Sequence, residues 1–166
     1  MTTDTTGDVS PLVIAPSSRH TIVPAVHLLL TDPQRGILLL RRANTGFFDG
    51  HYSVPAGHVE PGEPARQALA REVDEEIGLH LDPSDLDCCL TMHRRSDGHE
   101  RVDFFFTAQR WDGQPANREP HKCDDLAWHP TDDLPPNMVP YVRAAIEQFV
   151  QGRSYTEFGW DPTVIP

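Results

Sequence analysis

Residues 57–79 read GHVEPGEPARQALAREVDEEIGL, and the rest of the chain can be organised around this stretch. Apolar residues recur in it at every fourth position, which predicts a helix over about 64–77. That apolar stripe consists of Ala65, Leu69, Val73 and Ile77. Pro64 suits the first turn of a helix, and Gly78 suits its C-terminal cap. The stretch therefore predicts a glycine-rich turn that leads into an amphipathic helix.

Three glutamates share another face of this predicted helix. Glu72, Glu75 and Glu76 are spaced i, i+3 and i+4, so a helix brings their carboxylates together. At a separation of about 6 Å and an effective dielectric constant of about 20, each pair repels by roughly 3 kcal/mol. Solvent or a cation must offset this repulsion, and oxygen ligands suit a hard cation such as Mg²⁺ or Mn²⁺. The cluster is therefore either a solvated acidic face or a divalent-metal site.

The bulk composition limits the fold and the function. The chain has 166 residues, enough for one domain with a proper core, and a formal net charge of -11. This charge disfavours proteins that coat nucleic acid or bind anionic membranes, although bound metal ions can still attract a phosphorylated small molecule. The three cysteines make no disulfide framework, and the N-terminus shows no secretory signal pattern. We therefore expect a cytoplasmic protein that has no membrane-spanning segment.

Most of the remaining apolar pattern predicts strands that pair in hairpins. Residues 20–30 and 37–42 are β-branched or apolar and flank a turn, so we expect them to form the first hairpin. Residues 86–95 and 101–110 flank a Ser-Asp-Gly-His sequence, which predicts a second hairpin. Shorter strands are expected at 52–55 and 126–129.

The helical segments and the two ends of the chain complete the predicted organisation. Residues 138–151 form a second amphipathic pattern, and helices inserted among hairpins predict an α/β fold with a mixed sheet between helices. Residues 19–152 are expected to form one domain. The polar segment 1–18 is expected to be a flexible arm, and 153–166 an irregular tail whose aromatic residues pack on the domain.

The stretch 57–79 resembles the signature of the Nudix hydrolase family. It matches the pattern G-x5-E-x7-R-E-U-x-E-E-x-G-U, in which U is apolar, at every fixed position. The preceding LLLRRANTGFFDGHYSVPAGHVEPGE and the later DLAWHPTDDLP also resemble the family's usual flanking segments. The resemblance covers roughly 24–149 and implies a Nudix-type α/β/α sandwich with a mixed β-sheet.

The resemblance also implies a reaction and a set of site residues. Nudix proteins hydrolyse a phosphoanhydride bond in nucleoside diphosphates linked to another moiety, and they require Mg²⁺ or Mn²⁺. Glu63 and Arg71 match residues that hold the turn and the helix together. The positions that match metal ligands are the backbone carbonyl of Gly57 and the carboxylates of Glu72, Glu75 and Glu76.

The carboxylate that takes a proton from the attacking water is left open by the sequence. In some relatives it is a glutamate of the box, which here means Glu75 or Glu72. In others it is an acidic residue on a distant loop. Glu119, within the sequence Asn-Arg-Glu-Pro, is the best distal candidate, either as base or as metal ligand.

Residues outside the box decide the substrate. Some of the cationic side chains are candidate polyphosphate contacts, and solvated strand ends explain them equally well: Arg41, Arg42, Arg94, Arg95, Arg101 and Lys122. Asp103 is either an edge charge or an acceptor that selects the substrate. The markers of relatives that act on ADP-ribose, dinucleoside polyphosphates or coenzyme A are absent, which favours nucleoside triphosphate pyrophosphohydrolysis.

Several alternatives stay open at this point. A nucleotide sugar or an ADP-ribose-like compound is an alternative substrate. A Nudix-fold module that binds nucleotides without turnover is an alternative function, although such modules usually have a damaged box and this one is intact. Many relatives dimerise, so the sequence is also compatible with a homodimer.

Overall fold

The structure is a computed structural model that describes residues 20–96 and 98–161. The order of its elements is β1 Val23–Leu28, β2 Thr31–Asp32, β3 Gly36–Arg42, β4 Tyr52–Ser53, β5 Ala56–His58, α1 Ala65–Ile77, β6 Leu86–Ser96, β7 His99–Ala108, β8 Cys123–His129, α2 Pro140–Val150 and β9 Tyr155–Phe158. A short 3-10 turn lies between α1 and β6 at Pro83–Asp85. The predicted arm at 1–18 lies outside the described residues, and the division at 19–152 stays a prediction.

The strands form two sheets. Five of them make a mixed sheet in the order β5-β1-β7-β6-β9, in which β1 is parallel to β7 and β9 is parallel to β6. In the second sheet β3 pairs antiparallel with β2, β4 and β8. The predicted hairpin of β6 and β7 is confirmed, with Arg94 opposite Arg101.

The two helices pack into separate apolar clusters. Alternation along β7 supplies both clusters, because successive side chains of a strand point to opposite faces. Phe106 joins the cluster that contains Leu69 and Val73 of α1, and Phe105 joins the cluster that contains Val142 of α2. The predicted α/β fold with a mixed sheet and two helices is therefore confirmed.

The predicted first hairpin is wrong. Strand β1 pairs with β5 and β7, whereas β3 belongs to the other sheet, and only the two-residue β2 pairs with β3 on its N-terminal side. The chain crosses between the sheets at Leu29 and Leu30, both fully buried. Two buried strands joined by a turn look the same in sequence whether they pair with each other or with distant strands.

The tail also differs from the expectation of irregular structure. Residues Tyr155–Phe158 form β9 alongside β6, with Thr91 opposite Tyr155. Beyond this strand the indole Nε1 of Trp160 donates to the backbone carbonyl of His93 at 3.0 Å. The long strand β6 has unpaired backbone groups along that edge, and β9 satisfies some of them.

Helix α1 begins and ends close to the predicted residues. It spans Ala65–Ile77, and Gly78 follows in the left-handed region at φ 68 and donates its N–H to the carbonyl of Asp74. A residue without Cβ adopts this conformation at little cost, so Gly78 can end the helix sharply. In the described part of the chain, no helix is long and apolar enough to cross a membrane.

Candidate active site

A cavity of about 610 Å³ lies beside α1, between the two sheets and the loops that follow β3 and precede β8. It collects side chains of opposite charge. The carboxylates along its wall are Glu72, Glu75, Glu76 and Glu119. The cationic side chains along its wall are Arg42, Arg94, Arg101 and Lys122. Gly57 lines the same cavity, so all the predicted metal-binding positions and the distal candidate Glu119 meet at one place.

Gly57 lies in direct contact with the glutamate side chain that crosses it. A Cβ at this position would overlap the carboxylate carbon and Oε1 of Glu72. A side chain at position 57 would therefore force the Glu72 carboxylate out of this position. The arrangement presses the Glu72 carboxylate against the turn that precedes α1.

Arg71 connects this turn to the helix. Its Nε and Nη2 donate to the two carboxylate oxygens of Glu63 at 3.0 and 3.1 Å, and its Nη1 donates to Glu72 at 2.8 Å. Nη2 also reaches the carbonyl of His58 at 3.3 Å. The hydrogen bond from Arg71 lowers the pKa of Glu63 below its ordinary value. These contacts are the geometry expected of a brace, and that role remains a prediction.

Two of the clustered glutamates have raised pKa values. The pKa of Glu76 is raised to about 8, chiefly by burial and to a smaller extent by the charges of Glu72 and Glu119. The hydrogen bond from the Ala56 N–H at 2.9 Å acts in the opposite direction and lowers it. Burial also raises the pKa of Glu72, while Arg71 opposes the shift. Burial therefore disfavours the charged forms of both carboxylates, and a bound cation would offset that cost.

The donor set fits a hard divalent cation, although its side chains do not converge in this arrangement. Within residues 20–96 and 98–161, no three acidic, histidine or cysteine side chains lie close enough together to hold an ion. Glu72 is drawn to Arg71 and Glu76 to the Ala56 N–H, which explains the separation. All the donors are oxygens, as Mg²⁺ and Mn²⁺ prefer, and a cation would relieve their repulsion. The residues that would hold it are Gly57, Glu72, Glu75 and Glu76.

Glu119 reaches the cavity because its loop docks on the end of α1. The N–H groups of Ala116 and Arg118 donate to the carbonyls of Ile77 and Glu76, both at 2.9 Å. These are carbonyls that a helix leaves unpaired at its C-terminus. The Glu119 carboxylate then pairs with Lys122 at 2.7 Å. A residue remote in sequence is thus placed beside the box.

Arg41 lies away from the cavity, and its neighbour Arg42 lines it. The Nε of Arg41 donates to Asp124 at 2.7 Å. Alternation along β3 instead puts Arg42 on the cavity side, where its Nε donates to the Phe47 carbonyl at 2.7 Å. The geometry therefore favours Arg42 over Arg41 as a substrate contact.

Arg94 and Asp103 form a buried pair behind the cavity. The Nε of Arg94 donates to Asp103 Oδ2 at 2.6 Å, and the two side chains are 4% and 0% exposed. Burial would raise the pKa of Asp103, but interactions with His27 and Arg94 lower it to about 2. Arg94 lines the cavity, whereas Asp103 is not among the lining residues, so Asp103 supports its neighbours and is not an edge charge.

Some lining residues were not among the predicted site residues. The loop after β3 contributes Asn44, Thr45 and Phe47, and α2 contributes Tyr141. The Tyr141 ring lies 3.8 Å from the guanidinium carbon of Arg94. Period-two alternation could have placed Arg42 on the side of Leu40. No signal in the sequence shows that Tyr141, in a distant helix, reaches the same place.

Comparison with known proteins identifies the family. The model of the NUDIX domain matches residues 21–149. The chain belongs to the Nudix family. A solved MutT NUDIX hydrolase from Burkholderia pseudomallei has the same fold, with 27% identity and a TM-score of 0.70 over 78% of this chain and 98% of that one.

Several curated Nudix proteins are similar to this chain. The 8-oxo-dGDP phosphatase NUDT18 of Homo sapiens is 34% identical over 70% of this chain and 35% of its own length. The NAD-capped RNA hydrolase NudC of Stutzerimonas stutzeri is 30% identical over 78% and 45%. The 8-oxo-dGTP diphosphatase of Escherichia coli is 26% identical over 69% and 88%. The chain thus spans less than half of the first two relatives and most of the third.

Proposed function

We propose that the Nudix chain hydrolyses a phosphoanhydride bond of a nucleotide in the presence of Mg²⁺ or Mn²⁺, with nucleoside triphosphates as the favoured substrates. The observation that carries this proposal is the cavity that four carboxylates and four cationic side chains line together. The carboxylates suit a divalent cation, and the cations suit a polyphosphate. A plain binding surface for a neutral ligand would not need both.

The acidic and the cationic lining residues have different roles in the proposed reaction. A bound divalent cation offsets phosphate charge and lowers the pKa of a coordinated water. Arg42, Arg101 and Lys122 are placed to receive the negative charge of the polyphosphate. Glu75, whose side chain is 56% exposed, and Glu119 are the candidates to accept the proton from water. Glu63 and Arg71 hold the turn against the helix.

The relatives support this substrate class. Two of them are named for 8-oxo-dGDP and 8-oxo-dGTP, which are nucleoside di- and triphosphates. The third is named for NAD-capped RNA, which keeps the ADP-ribose-like alternative open. The chain covers 88% of the 8-oxo-dGTP diphosphatase but less than half of the other two relatives, so the nucleoside triphosphate is the better-supported choice. Cytoplasmic location and homodimer formation remain predictions from sequence.

A substrate panel with Mg²⁺ tests the proposal. Nucleoside tri- and diphosphates, ADP-ribose and nucleotide sugars are incubated with the protein, and the products are separated by ion exchange. We expect nucleoside monophosphate and pyrophosphate from triphosphates. Binding of nucleotides without any product would instead identify a binding module and overturn the proposal.

Two variants of α1 serve as a matched pair for this assay. Glu76→Gln removes an ionisable carboxylate from the cavity wall and is expected to abolish most turnover. Asp74→Asn removes a charge from the same helix outside the cavity, where Asp74 pairs with His80 at 3.1 Å. Equal activity of the two variants would show that the cavity carboxylates have no special role.

A further inference from the structure

His27 is a buried polar side chain in the apolar strand β1. It is 2% exposed, and within the described chain its nearest polar partner is Asp103, whose Oδ1 lies 3.5 Å from Nε2, while Nδ1 has no hydrogen-bond partner. Buried polar atoms are normally paired, so an imidazole with one nitrogen unpaired and the other at 3.5 Å from its partner requires an explanation. His27 lines the cavity with both ring nitrogens covered, so a ligand that bonds to them has to displace the atoms that cover them.

Packing holds the His27 ring in one orientation. It stacks on Phe105 with the ring centroids 4.5 Å apart and an angle of 17° between the planes. The ring of Tyr141 meets it edge-on at 5.8 Å. A ring fixed on two sides cannot turn to find a partner within the protein, and a ligand in the cavity can supply one.

Arg94 lies on the same face of the sheet as His27, and both side chains lie next to the carboxylate of Asp103. Asp103 pairs with Arg94 at 2.6 Å, and its Oδ1 lies 3.5 Å from Nε2 of His27. A guanidinium carries five N–H donors. Three of these donors make hydrogen bonds, two to Asp103 and one to Ser96. Arg94 also lines the cavity. The remaining donors give this part of the wall an excess of hydrogen-bond donors.

We infer that His27 and Arg94 together form the part of the cavity wall that contacts the base of the substrate. This part of the wall favours a base with a carbonyl group on the contacted edge over a base with an amino group there. The inference rests on the proposed nucleotide hydrolysis. Arginine donors match carbonyl and ring-nitrogen acceptors, as on guanine, whereas the amino group of adenine presents a donor. Because Asp103 is bonded to Arg94 and lies behind the cavity wall, it offers no acceptor to an amino group.

Paired substrates that differ at one edge test the inference. Inosine triphosphate and adenosine triphosphate differ in this way, as do uridine and cytidine triphosphate. We expect kcat/KM to favour the carbonyl-bearing member of each pair by about 10-fold or more. In His27→Phe, which keeps the ring and removes both nitrogens, we expect that ratio to fall several-fold. A wild-type ratio near one, or a ratio that His27→Phe leaves unchanged, would overturn the inference.

A matched histidine outside the cavity separates base reading from packing. His93 on β6 also has a buried, unpartnered Nε2, but it packs against Trp160 at 4.5 Å and does not line the cavity. His93→Phe is expected to leave the substrate ratio unchanged. His27→Gln, which keeps a donor and an acceptor, is expected to retain part of the preference, and it replaces His27→Phe if that variant does not fold. A uniform loss of kcat/KM for all bases would assign His27 to packing alone and contradict the inference.

Binding measurements keep this inference distinct from the proposed reaction. Calorimetric titration under conditions without turnover gives the dissociation constants of inosine triphosphate and adenosine triphosphate. These constants are compared between the wild-type protein and His27→Phe. A preference that depends on His27 in the absence of any hydrolysis would support the inference and refute the proposed reaction. Hydrolysis of both nucleotides at equal kcat/KM would refute the inference and leave the proposed reaction standing.

Discussion

The carboxylate of Glu72 occupies the space where a side chain at Gly57 would lie. Arg71 holds that carboxylate at 2.8 Å, so a Cβ at position 57 has to displace a braced group. We predict that Gly57→Ala lowers kcat/KM about 10- to 100-fold, the usual effect of disturbing groups that orient metal ligands. Initial rates at saturating Mg²⁺ measure the loss, and circular dichroism checks that the fold is retained.

A second glycine of the same turn provides the control. Gly62 has φ +83, and nothing lies within 4 Å of a Cβ added there. Gly62→Ala therefore strains the backbone by about 1 kcal/mol without touching Glu72. It should lower the thermal midpoint and leave kcat/KM close to wild type. Wild-type activity in Gly57→Ala would show that the position of the Glu72 carboxylate does not depend on a glycine at position 57.

The parts of the site that could be predicted from sequence lie within one continuous helix and its turn. Helical spacing alone puts Glu72, Glu75 and Glu76 together, and the ends of α1 follow from Pro64 and Gly78. These are local interactions, so no knowledge of distant contacts is needed to place them.

The parts that could not be predicted depend on which strands pair. The partner of β1 is β7, about eighty residues away, and nothing in the apolar pattern of β1 distinguishes β7 from β3. The roles of Arg41 and Arg42 depend on which face of β3 meets the cavity. His27 is only one polar residue in an apolar strand until β7 and α2 pack around it. Long-range packing, and not local propensity, decides these features.

The bridge from Arg71 to Glu63 should contribute measurably to stability. The pair is bidentate and partly buried, with side chains 29% and 17% exposed, so solvent screens it only in part. We predict that Arg71→Lys lowers the free energy of unfolding by about 1–2 kcal/mol, because an ammonium cannot make the same paired contacts. Urea denaturation at neutral pH measures the change.

A double-mutant cycle isolates the pair from other effects of the substitution. Glu63→Gln and Arg71→Lys are measured singly and together, and the coupling energy between them is expected to be favourable. Arg35 and Asp32 form a more exposed pair at 3.0 Å, which serves as a comparison with weaker expected coupling. No coupling between positions 63 and 71 would rule out a stabilising brace.

Asp103 should make stability depend on pH in the acid range. Its pKa falls from the ordinary value of 3.8 to about 2 in the folded protein, through His27 and Arg94 acting against burial. The folded state therefore binds the proton less readily than the unfolded state. The resulting stabilisation, about 2 kcal/mol, is fully present above pH 4 and is lost as the pH falls through about 2.

Asp103→Asn tests that dependence. At pH 7 the variant leaves the Arg94 guanidinium buried without its carboxylate, and we expect it to be less stable by about 3–5 kcal/mol. As the pH falls from 4 towards 2, the difference between wild type and variant should shrink. Urea midpoints of both proteins across this range measure it, and a difference independent of pH would contradict the depressed pKa.

Glu119 should affect turnover more than folding. The backbone of its loop is fixed by hydrogen bonds from Ala116 and Arg118 to the end of α1, and these do not involve the Glu119 side chain. We predict that Glu119→Gln lowers kcat by about 100-fold while the thermal midpoint stays near wild type.

A Mg²⁺ titration separates the two roles proposed for Glu119. A loss of turnover that saturating Mg²⁺ restores indicates a metal ligand, and a loss that persists indicates the base. Asp124→Asn, which removes an exposed carboxylate bonded to Arg41 outside the cavity, is the control. Unchanged turnover and Mg²⁺ requirement in Glu119→Gln would exclude both roles.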